Sequence, residues 1–260
     1  MPEGLGVYIR TLSQGIHGTP RQASRIASEH GVSFVAILTH WQERTKQRLY
    51  NQKHIVAYAE AFDSMGIDVH LWGYPWVGYE GLYIDTARAV SDKLGDTCAG
   101  WIVDPELGYK WIGPATSEDD CKSGAIRLMD GLIDAMDEGL DLGVTSYGMA
   151  RWHWNFPWFT FLQYGWHSPQ VYGMATDALR SSYRSWRRYG SKTKMLPSIA
   201  SYGATDEHQL DNWLEGFDAV EQFPGAVVWS WRQISRLEWR ILAKWAERFN
   251  RSRREWRCDT

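Results

Sequence analysis

The chain has 260 residues, a formal net charge of −3, 44% hydrophobic and 23% charged residues, the balance of an ordinary globular protein. That charge excludes the broad basic field that nucleic-acid binding uses, and no run of about 18 apolar residues offers a membrane span. Aromatic residues are the outlier: 16 Trp in a 14% aromatic content exceed what one core needs, so some are expected to line a groove, where flat ring faces suit sugars.

In chain order, short β-rich runs alternate with helical stretches. The first strand is read at 6–10, followed by a helix over 20–30 with Thr19 as N-cap and Pro20 at N1. A strand at 33–40 precedes a helix over 51–66 closed by Gly66. A strand at 68–75 precedes a helix over 83–95. The fourth strand, 98–106, is followed by a long helix over 121–139, with Ile126, Met129, Leu132, Ile133 and Met136 on one face. The second half repeats the rhythm, with strands at 142–148, 169–175, 194–203 and 225–234. Their helices are read at 157–163, 176–190, 205–223 and 236–249, and a basic tail covers 250–260.

Eight strictly alternating β–α pairs imply a parallel sheet, and eight units imply closure into a single (β/α)8 TIM barrel over 1–260. The competing open doubly wound sheet would bring a Gly-rich phosphate turn after its first strand, and "VYIRTLSQGIHG" has none. Cys98, Cys121 and Cys258 are too few and too far apart for a disulfide framework or a metal pair. The start "MPEGLGVYIR" shows no apolar signal region.

In such barrels chemistry sits at the C-terminal ends of the strands. The stretch "CAGWIVDPELG" runs from apolar strand into Asp104 and Glu106, two residues apart and hence on the same side, ~7 Å apart along the strand. Each raises the other's pKa, which is what delivering a proton to a glycosidic oxygen requires. The other strand ends contribute Trp72 and Tyr74, Tyr147, Gln170 and Tyr172, Tyr202, Trp229 and Trp231. The structural alternative is that the acids simply pair with Lys110 or Arg232. The eight His lack ligand spacing, and no metal or cofactor is implied.

Asp104-Pro105-Glu106 at the end of strand four, Tyr172 in "QVYGMA" and Trp229 in "GAVVWSW" resemble the (β/α)8 glycosidases acting on N-acetylated sugars, the family-eighteen chitinases and family-twenty-five lysozymes. The resemblance implies a retaining, acetamido-assisted hydrolase of a peptidoglycan or chitin-like polysaccharide. In that scheme Glu106 is the general acid, Asp104 orients the acetamido group and Tyr172 helps to hold it. Trp229 forms the floor, with Trp72, Tyr74, Trp231, Gln170, Tyr147 and Tyr202 as further sugar contacts. The chain departs from both patterns: Ala99 and Ile102 stand where chitinases carry further Asp residues, and Tyr8 and Arg10 where lysozymes carry an Asp on strand one. A second reading follows, a barrel without turnover that binds glycan or serves as a structural module. With no signal region visible, and with related barrels found in bacteriophage particles, a cytoplasmic or virion-associated location is the expectation. The sequence names no protein partner.

Overall fold

A computed structural model of the chain describes residues 1–43, 46–51, 53–111, 116–136, 139–172, 181–182, 184–186, 195–200 and 223–258. Strands β1 (Gly4–Ile9), β2 (Val32–Glu43), β3 (Lys46–Leu49), β4 (Asp68–Tyr74), β5 (Cys98–Val103), β6 (Asp141–Tyr147), β7 (Trp166–Val171), β8 (Ser198–Ala200) and β9 (Gly225–Trp229) form one sheet. Its order is β1-β9-β8-β7-β6-β5-β4-β2-β3, and an additional β1–β2 pairing closes it. Every pairing in the ring is parallel. Only β3 runs antiparallel, as a hairpin on the far end of β2 with His40 opposite Leu49. The fold is the closed eight-stranded barrel that the alternation implies, with an added hairpin.

The strands are apolar on both faces because both faces are covered. Inward residues fill the barrel: Tyr8, Phe34, Ala36, Leu38, Trp72, Ile102, Trp166, Leu196 and Val227 pack together, with Trp229 partly buried on top. Outward residues one position away, such as Val7, Ile37, Leu71, Trp101, Val103 and Val228, pack under the helices. The helices are α1 (Gln14–His17), α2 (Pro20–Glu29), α3 (Ile55–Asp63), α4 (Glu80–Leu94), α5 (Glu118–Ala135), α6 (Trp158–Leu162) and α7 (Arg236–Cys258). Residues 181–182 and 184–186 are also helical. The helix expected at 205–223 lies outside the described residues except for its last position.

Local chemistry sets the helix starts. Thr19 caps α2 in a reciprocal box with Gln22, with Pro20 in the first turn. Ser117 and Asp120 form the same box for α5, which therefore starts at Glu118 rather than Cys121. One expectation is corrected here. The buried stripe of α5 is Cys121, Ala125, Leu128, Met129 and Leu132, whereas Ile126 and Ile133 are exposed. Small residues at 121, 124 and 125 let the helix lie close to its neighbours, which rotates the two isoleucines outward. The basic stretch after 249 continues α7 to Cys258. Among the described residues no helix is long and apolar enough to cross a membrane.

Candidate active site

β5 delivers Asp104 to the mouth of the barrel. Its amide donates to the Gly73 carbonyl at 3.0 Å, continuing the β4–β5 ladder one residue past the strand. Pro105 follows, and then the Glu106 amide donates back to the Asp104 carbonyl at 3.1 Å. A short 3-10 turn, Leu107–Tyr109, ends the reversal. The Leu107 amide donates to the Tyr74 phenolic oxygen at 2.8 Å, so the end of β4 braces the turn that carries Glu106.

Asp104 is buried and Glu106 half-buried. Burial pushes the Asp104 carboxyl well above the usual carboxylate range, and the charge of Glu106 pushes it further; a hydrogen bond from Gln170 opposes both. The bond runs from Gln170 Nε2 to Asp104 Oδ1 at 3.2 Å. Glu106 is raised chiefly by burial, opposed by Gln170 and by the charge of Lys110. Ionising Glu106 thus makes ionising Asp104 harder.

The alternative of a structural ion pair is not what the geometry gives. Among the described residues neither acid is in a salt bridge. The Lys110 ammonium turns instead to His153 Nδ1, 2.7 Å away, and lies 4.2 Å from the centre of the Tyr147 ring. Arg232 is exposed on the turn after β9.

The predicted aromatics separate into three groups. Trp229 is half-buried over the inner core, 5.4 Å from both Tyr8 and Trp72 and 6.4 Å from Tyr172. Tyr147 is a half-buried rim residue, whereas Tyr74 is buried at the end of β4, which leaves it bracing the turn rather than open to a sugar. Tyr74 stacks on Trp41 at 4.2 Å with rings 8° apart, and Tyr147 stacks on His153 at 3.7 Å with rings 10° apart. Trp72 and Trp231 are not sugar platforms, which corrects the expectation for both. Trp72 is fully buried inside the barrel, one layer below the mouth. Trp231 turns outward in a 3-10 turn and packs on His17, Phe62 and Trp239 beneath the helices. A ring covered on both faces has none left for a ligand. Tyr202 lies outside the described residues.

Sequence reasoning missed the far wall of the mouth. A cleft of about 590 Å³ opens beside Gln170 and Tyr172, walled by Tyr147, Met149, Trp152 and His153. The run "MARWHWNF", Met149–Phe156, holds two Trp, one His and one Arg immediately after a strand end, and that density was the available signal. Trp152 and Trp154 are among its most exposed residues. Glycine shapes the junction as well: a Cβ on Gly148 would collide with the Gln170 carbonyl, so its absence lets the two strand ends approach. Among the described residues no three of His, Cys, Asp or Glu gather into a group that could hold a metal ion.

No protein-family model matches the chain, and no curated protein does. Solved structures match it over most of its length. A plant class V chitinase mutant from Cycas revoluta in complex with (GlcNAc)3 aligns with a TM-score of 0.70 and 9% identity, covering 95% of this chain and 99% of that one. A GH18 chitinase from Pseudoalteromonas aurantia aligns with a TM-score of 0.67 and 11% identity over 96% and 99%. The spore cortex-lytic enzyme SleL from Bacillus megaterium aligns with a TM-score of 0.66 and 8% identity over 92% of this chain and 73% of that one. The chain thus shares the barrel fold of these structures. Identities this low establish a shared fold, and the chemistry has to be argued from the site.

Proposed function

We propose that the chain is a retaining glycoside hydrolase that cleaves an N-acetylated amino-sugar polymer. The observation that carries the reading is the unneutralised acid pair. Asp104 and Glu106 stand at the mouth of the barrel, both with raised pKa and neither in a salt bridge among the described residues. Glu106 protonates the leaving glycosidic oxygen. The acetamido oxygen of the same sugar attacks the anomeric carbon from the other side, and Asp104 accepts the acetamido N–H and offsets the charge that develops there. Water then opens the cyclic intermediate, with Glu106 taking the proton back. Trp229 supports the sugar ring, while Tyr172 and Gln170 hold the acetamido group and Asp104. Reducing-end release from chitin-type oligomers and clearing of purified cell walls, wild type against Glu106→Gln, test the reading. Turnover by wild type alone upholds it.

A glycan-binding barrel without turnover is the second reading, and one observation favours it. Ile102, in the inward position below Asp104, and Tyr8 beside it are fully buried and supply no further acid to the pair. Glycan binding without hydrolysis by wild type would select this reading.

A further inference from the structure

The cleft beside the acids has a charge pattern of its own. Among the described residues its one charged wall residue is Arg151, which lies 5.5 Å from the centre of the Trp152 ring. That cation–π contact holds the guanidinium at the wall without consuming its N–H donors. Lys110 meets the same wall from the side of the acids, over Tyr147 and against His153. An ammonium only donates, so His153 accepts through Nδ1 as a neutral ring. Burial and the nearby ammonium hold its pKa down at about 4. Among the described residues neither cation is in a salt bridge and no carboxylate lines the cleft, although the charge of Glu106 acts on Lys110 from the side of the acids. Two cations held beside aromatic rings on one wall favour an anion there.

We infer that this cleft selects amino-sugar chains bearing free carboxylates, such as peptidoglycan-type glycans whose lactyl ether acids carry no peptide, over uncharged chitin-type chains, with Lys110 and Arg151 as the selecting residues. The inference rests on the glycosidase reading of the adjoining acid pair and specifies its substrate. A charge-assisted hydrogen bond to half-buried Lys110 or exposed Arg151 predicts about tenfold tighter binding of the acid than of the same chain as its carboxamide. That preference should shrink as salt rises.

The experiment compares three probes on the full chain: an alternating amino-sugar oligomer with free lactyl carboxylates, the same oligomer as its carboxamide, and a plain N-acetylglucosamine oligomer of equal length. Affinity and hydrolysis are measured for wild type, Lys110→Met and Arg151→Gln, with thermal melts confirming that each variant folds. An acid-to-amide ratio near ten in wild type, falling toward one in either variant, supports the inference. A ratio of one in wild type, or a ratio unchanged by both substitutions, overturns it. If the plain oligomer is still cleaved in that case, the hydrolase reading survives alone. A strong acid preference without cleavage of any probe would keep the selectivity and remove the hydrolase. Binding of none of the three would remove both.

Discussion

Gln170 Nε2 donates to Asp104 Oδ1 at 3.2 Å, a bond thrown from the end of β7 to the end of β5 across the intervening β6. It is the contact that favours an ionised Asp104 against burial and against the charge of Glu106. Gln170→Leu removes the donor and leaves the other two effects unopposed, so the Asp104 pKa rises further. The acidic limb of the pH–kcat/KM profile should then shift to higher pH, with activity at neutral pH reduced about tenfold or more. An unshifted limb would show that ionised Asp104 is not the form that works.

Glu106→Gln preserves shape and hydrogen bonding but cannot give up a proton. Hydrolysis should fall by roughly 10²–10⁴ while glycan binding persists. The same variant carries a stability signature. A carboxyl with a higher pKa folded than unfolded contributes nothing below its ordinary value of 4.5, and destabilises progressively as pH rises from there through the folded pKa. Glutamine lacks that penalty and also relieves Asp104. The Tm difference, variant minus wild type, should therefore start near zero at low pH and become positive above it. A flat difference across that range would contradict the raised pKa.

Trp229→Ala should weaken glycan binding by about 1–3 kcal/mol, the scale of an aromatic anchor. The ring also covers Tyr8 and Trp72, so Trp229→Phe serves as the partner variant, keeping much of the cover with a smaller face. Binding that tracks ring area across Trp, Phe and Ala identifies a platform. A loss of stability with unchanged affinity identifies a core residue.

Trp231→Ala makes the opposite case. Its ring is buried under α7 against Trp239 and Phe62, so the variant should lose about 3–5 kcal/mol of stability. KM for oligosaccharides should be unchanged wherever the protein remains folded. A selective rise in KM without destabilisation would return Trp231 to the mouth.

Strand parity explains what was legible. Residues two apart share a face, so Asp104 and Gln170 could be assigned to the mouth from the strand ends alone, and the closed barrel followed from the alternation. Parity gives direction but not height. Trp72 and Tyr74 point the same way, yet Trp72 sits one layer down, beside Tyr8 and under Trp229. It also fails once a strand stops, and Trp231, in the turn after β9, swings out to the helices. The β2–β3 hairpin hid in "WQERTKQRLY", a polar and charged run without alternation. Lys110 was readable as a neighbour of the acids, but its partner, His153, is 43 residues away in a loop without periodicity.

The turn at Asp104-Pro105-Glu106 has a mechanical consequence. A proton donor on a floppy loop spends part of its time out of reach and must be frozen in place at each encounter. Here a proline ring fixes one torsion between the two acids, the Glu106 amide is tied to the Asp104 carbonyl, and the next amide is tied to the Tyr74 phenol. Only the side-chain rotors of Glu106 remain to be stilled. The Glu106 backbone is therefore indexed to the barrel wall itself.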